Sequence, residues 1–96
     1  MSIGIKRLVL DVLKPHNPSL PYLADQIAKI PGIKGVNISL IEMDKETQSI
    51  KMTIEGEALI FDDLKERLEE WNCAIHSVDQ VVAGKSIIEE VRTHQG

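Results

Sequence analysis

Asp11, Glu42, Asp44, His76 and Asp79 are the side chains in this sequence best suited to holding a cation. Carboxylates alone suit Ca²⁺ or Mg²⁺, and an imidazole beside them admits Zn²⁺ or Mn²⁺. Lys14, His16, Thr47 and Ser77 add a cationic group, a second imidazole and hydroxyls that could share the same surroundings. None of these residues falls in an EF-hand loop or a His-Glu-x-x-His helix, so any joint chemistry depends on tertiary convergence. The alternative is a hydrogen-bonded polar corner, with Asp11 and Asp79 accepting backbone or hydroxyl bonds and Lys14 neutralising a carboxylate. An enzyme would have to use His76 with Asp79 or Asp11. No nucleophile elbow or phosphate loop supports that reading, so the chain leans away from catalysis.

Asp11 sits in the run Leu8 to His16, which is apolar at Val9, Leu10, Val12 and Leu13. Such a run suits a central strand covered on both faces, or nearly so, where an ionised carboxylate costs several kcal/mol, by a rough estimate, unless it is paired. The strand is expected over Ile5 to Lys14. Leu8, Leu10 and Val12 face one side and Arg7, Val9, Asp11 and Leu13 the other. Pro15 has no amide hydrogen for a ladder and should end it.

Asn17-Pro18 reads as the cap and first residue of a helix whose apolar stripe is Leu20, Leu23, Ala24, Ile27 and Ile30, stopped by Pro31-Gly32. Ile33 to Gly35 reads as a turn. A second strand alternates from Val36 to about Met43, a polar hairpin spans Glu42 to Thr47, and a third strand alternates from Ile50 to Ile54, ended by Gly56. Phe61, Leu64, Leu68 and Trp71 mark a second helix, with Asp62 and Asp63 in its first turn. Asp63 with Arg67 and Lys65 with Glu69 stand at ion-pair spacing. Asn72 suits a left-handed end. Ala74 to Ala83 is a fourth strand, and Ser86-Ile87-Ile88-Glu89 matches a capping box for a short C-terminal helix within 86–93. Cys73 reads as a small core residue.

The order strand, helix, strand, strand, helix, strand leads to an α+β ferredoxin-like split β-α-β sandwich. It has a four-stranded antiparallel sheet of order 4-1-3-2 and both helices on one face. The first strand is then central and neighbours the fourth, so Asp11 comes alongside His76, Ser77 or Asp79. The uncovered sheet face and the outer strands are expected to promote self-association.

The totals limit the rest. Ninety-six residues fit a single domain, 1–96, and 43% hydrophobic residues support a folded core. A net charge of −4 and three aromatics argue against nucleic acid as a partner. No apolar run approaches a membrane span, and the lone Cys73 fits a reducing, cytoplasmic setting.

Asp11-Val-Leu-Lys-Pro-His16, Val36-Asn-Ile-Ser39, Glu42-x-Asp44-x-x-Thr47, Ile54-Glu-Gly56, Ile75-His-Ser-Val-Asp79 and Ala83-Gly84-Lys85 resemble an archaeal family of small proteins called domain of unknown function 211. The resemblance covers nearly the whole chain. It implies a ferredoxin-like fold and assembly into homo-oligomers, and supplies no activity. The expectation is a non-enzymatic oligomeric module that binds a divalent cation or small ligand at the polar edge or between subunits. The alternative is a purely structural interaction module.

Overall fold

The computed structural model describes residues 3–91. Its elements are β1 (Gly4–Pro15), α1 (Leu20–Ala28), β2 (Ile33–Met43), β3 (Thr47–Leu59), α2 (Phe61–Glu70) and β4 (Ala74–Gly84). The strands form one sheet of order β2-β3-β1-β4, which is the expected 4-1-3-2 read from the other edge, and every pairing is antiparallel. With two helices in β-α-β-β-α-β order, this is the ferredoxin-like fold.

Alternation along the two inner strands builds the core. Leu8, Leu10 and Val12 of β1 lie opposite Ile54, Met52 and Ile50 of β3, and all of them are buried. Leu23 and Ile27 of α1 and Leu64 and Leu68 of α2 close over that face, joined by Cys73. Each such apolar side chain taken out of water contributes roughly 1.5–3 kcal/mol before entropy is counted. Burial pushes the Cys73 thiol above its usual pKa, which fits a core residue.

Several boundaries differ from the sequence reading, each for a local reason. Pro15 stays in β1, opposite Thr47, because the last β4 partner is Ala74 against Leu13 and no ladder bond is asked of the proline on that side. The cap of α1 is Ser19, not Asn17: its Oγ accepts from the Tyr22 amide at 3.3 Å, and Pro21 rather than Pro18 occupies the first turn. Ile33 to Gly35 belongs to β2, because Gly32 at φ 92° turns the chain one residue earlier. β3 runs through Gly56 to Leu59, where the Gly32 carbonyl accepts from the Glu57 amide. Asn72 does take a left-handed conformation, φ 60°. Arg67 reaches Glu70 and the face of Trp71, and neither expected helix ion pair forms among the described residues.

The capping box does not start a helix within 87–91; the remainder of the expected segment, like His94, lies outside the described residues. Glu89 is drawn instead to Arg7 on β1, whose Nη1 and Nη2 donate to its two carboxylate oxygens at 2.9 Å each. Arg7 Nε also donates to Glu55 at 2.7 Å. A bidentate guanidinium–carboxylate pair outweighs the single bond a capping glutamate makes. Beside it, Glu57 accepts from Lys6, which is buried, and pairs with Lys34. Lys34 first and Lys6 second hold the Glu57 carboxyl down at about 2.

Two outcomes are expected. A Cβ at Gly56 would strike the Gly32 carbonyl oxygen and Leu59 Cδ2, whereas Gly35 faces open space. Gly56→Ala should therefore cost about 1–3 kcal/mol in urea unfolding, and Gly35→Ala less than about 0.5 kcal/mol. Because Glu57 has a depressed folded pKa, its contribution to stability is complete above about 4.5 and is lost as pH falls through about 2. Glu57→Gln should lack that part of the acid dependence, read from unfolding midpoints across this interval.

Candidate functional site

β1 is the element that places the polar groups. Its inner-facing residues are Lys6, Leu8, Leu10, Val12 and Lys14, and every one is buried. Its other face, which no helix covers, carries Arg7, Val9, Asp11 and Leu13. Asp11 there is half-buried and Leu13 is 38% exposed. The strand is thus covered on one face, not both. Asp11 is not an interior charge, and its register neighbours are Lys51 on β3 and Ser77 on β4.

Around Asp11 the open face is concave. Asp11, Ile41, Glu42, Ser49, Lys51 and Asp79 line a dish of about 290 Å³. Two irregularities help to shape it. Glu42 pairs with Ser49 and Leu40 with Ile50, so Ile41 is an extra residue on β2, and Glu42 falls on the open face. On β4, Gln80 pairs with Val9 and Val78 with Leu10, so Asp79 is the extra residue there. Ser77 Oγ donates to Asp79 Oδ1 at 2.7 Å and fixes that carboxylate. Three acids from three strands therefore share one surface with a single lysine in the lining. Among the described residues no three His, Cys, Asp or Glu side chains close to cation-holding distance.

Asp44 and His76 are not part of this lining. His76 is a second extra residue on β4, between Ile75 against Val12 and Ser77 against Asp11, and it is exposed. Asp44 shapes the β2–β3 hairpin. Its Oδ1 accepts from the amides of Glu46 and Thr47 at 2.9 Å each and from Thr47 Oγ1 at 3.2 Å. Those bonds, the Thr47 amide first, hold its carboxyl below the usual carboxylate range. His16 Nε2 donates to the Asp44 carbonyl at 3.0 Å and ties the end of β1 to this hairpin.

Lys14 is the centre of that corner, in a role the sequence reading did not assign. It neutralises no carboxylate: among the described residues no ion pair includes it. Its side chain is fully buried, and Nζ donates to the Pro15 carbonyl at 2.7 Å, the His16 carbonyl at 3.2 Å and Gln48 Oε1 at 3.0 Å. Burial pulls its pKa below the ordinary value, and Cys73 acts the other way as the smaller of the two causes. The signal for this was available, since Lys14 has the parity of Leu8, Leu10 and Val12. Ser49 and Lys51 of the dish were also passed over, although β3 alternates and places them opposite Leu13 and Asp11.

Because the unfolded chain keeps an ordinary lysine, it binds more protons than the folded chain between the lowered value and 10.5. Lys14 should therefore make stability rise with pH across that window, while the raised Cys73 opposes this above 9.0. Urea titrations should show wild type gaining on Lys14→Met as pH approaches 10.5, and equal slopes would contradict a desolvated ammonium. Lys14→Ala, which empties the site and orphans two carbonyls, should cost about 2–4 kcal/mol.

Comparison with known proteins places the chain among relatives without an assigned activity. A protein of Methanocaldococcus jannaschii, described only as uncharacterized, is 53% identical over 92 residues, covering 96% of this chain and 95% of that one. Residues 6–96 match the archaeal family domain of unknown function 211, described as uncharacterized ArCR, and the chain belongs to that family.

Proposed function

We propose that this protein is a non-enzymatic binding module that takes a divalent cation or small cationic ligand in the dish on the open face of its sheet. The convergence of Asp11, Glu42 and Asp79 on one concave surface carries this reading. Three carboxylates against one lysine make a negative surface, and the acids belong to three different strands of a rigid sheet. An incomplete protein shell suits Ca²⁺ and Mg²⁺, which retain water among their ligands. Zn²⁺ and Mn²⁺ rank lower because His76, the imidazole nearest in sequence to Asp79, does not line the dish. The enzymatic alternative loses ground for a related reason: Asp79 is held by Ser77, and no hydrogen bond couples His76 to an acid among the described residues. Asp44, His16, Thr47 and Lys14 then serve as the scaffold that sets the hairpin beside the dish.

Thermal unfolding with Ca²⁺, Mg²⁺, Mn²⁺ or Zn²⁺ tests the proposal. At about a hundredfold excess over Kd a bound ion adds about 2.7 kcal/mol, a Tm rise on the order of 10 °C for a domain of this size. The rise should vanish in Asp11→Asn and Asp79→Asn and persist in His76→Ala. No shift with any of the four ions, or one indifferent to Asp11→Asn, would remove the cation reading.

A further inference from the structure

The segment after β4 is held by little besides one ion pair. Its sequence offers Ser86 as a cap with Glu89 three residues on, yet 87–91 form no helix. Apolar burial does not fix it either, since Ile88 is 71% and Val91 85% exposed. Among the described residues its side chains make hydrogen bonds only through Glu89, to Arg7. Arg7 is placed in the opposite way. Its side chain is 17% exposed, against 68% for Glu89. Glu55 on β3 accepts from its Nε at 2.7 Å, and Gln80 on β4 accepts from its Nη1 at 3.4 Å. Both partners belong to strands of the sheet, so the guanidinium keeps its position and its outward edge with or without Glu89. Next to this pair, Lys85, Ser86 and Ile87 close a cleft of about 260 Å³ against Lys6, Lys34 and Glu55.

We propose that this end of the sheet is an oxyanion site built on Arg7, which Glu89 occupies as an internal ligand, and that the segment 85–91 is a strap displaced when a phosphate group takes the guanidinium edge. Nη1 and Nη2 present two parallel N–H donors, a fork that carboxylate and phosphate oxygens both match. Without Glu89, the cations Arg7, Lys6 and Lys34 face two acids, Glu55 and Glu57, in a chain whose net charge is −4. The same surroundings hold the Glu57 carboxyl at about 2. The sheet supplies the fork and the strap supplies only its occupant, so removing the occupant leaves a preformed site. A tethered carboxylate competes at high effective concentration, and the fraction of chains with the strap closed weakens apparent binding of a free anion. This site is independent of the acidic dish: Asp11→Asn should abolish the thermal response to cation and leave phosphate binding unchanged.

Nuclear magnetic resonance titration with inorganic phosphate, against chloride at equal ionic strength, tests it. Glu89→Ala, a change at an exposed residue outside every helix and strand, should bind phosphate at least about fivefold more tightly than wild type. In wild type, added phosphate should move the amide resonances of Ser86 to Val91 toward the positions they hold in Glu89→Ala. Arg7→Lys placed in the Glu89→Ala chain keeps the charge but not the fork, and should lose most of the binding. Should that double variant change the circular dichroism spectrum, the Arg7 Nε–H resonance of Glu89→Ala replaces it and should shift with phosphate. Equal affinity in wild type and Glu89→Ala would overturn the proposal. So would phosphate binding that leaves the strap amides of wild type in place, or no binding by Glu89→Ala at millimolar phosphate.

Discussion

A buried ammonium that pairs with no carboxylate among the described residues organises one end of this molecule. Lys14 extends the inner face of the central strand beyond its last apolar residue and donates to the Pro15 and His16 carbonyls and to Gln48. A charge removed from water persists only where fixed dipoles replace the solvent. Here one of those dipoles belongs to the last residue of β1, one to the residue after it and the third to β3. The position of the β1–α1 loop, the end of the core and the start of β3 are thereby linked. His16 extends the tie to the Asp44 carbonyl, and Asp44 in turn fixes the β2–β3 hairpin through its own carboxylate.

The opposite end of β1 is held in another way. There Lys6 and Arg7 meet acids, Glu57 and Glu55, and Arg7 also draws the extended segment after β4 onto the sheet through Glu89. These groups are more exposed, so the pairing is more open to solvent and salt than the Lys14 corner. The inner face of β1 is therefore apolar in the middle and lysine at both ends, which fixes the strand lengthwise as well as face to face.

Between these ends the open face carries the acids. The dish exists because β2 and β4 each accommodate an extra residue next to β1 and β3, turning Glu42 and Asp79 toward Asp11. Irregular strands and binding groups often occur together, since a bulge re-aims a side chain without disturbing the rest of the sheet. The same irregularity interrupts the regular outline of β4, whereas the middle of β2 stays regular and uncharged.

The sequence alone determined the element order, the ferredoxin-like topology, the inner and outer faces of β1, the left-handed end at Asn72 and the burial of Cys73, because hydrophobic periodicity and local backbone chemistry carry that information. It also brought Asp11 to the side of Ser77 and Asp79, through strand order. Tertiary structure decided how the polar edge divides. Whether Asp44 faces a ligand or caps its own hairpin depends on turn geometry, and whether Glu42 or His76 turns toward Asp11 depends on single-residue register shifts that leave no mark in periodicity. Lys14 stands between the two cases. Parity placed it on the covered face, but only the folded loop supplied the carbonyls that let a charge remain there.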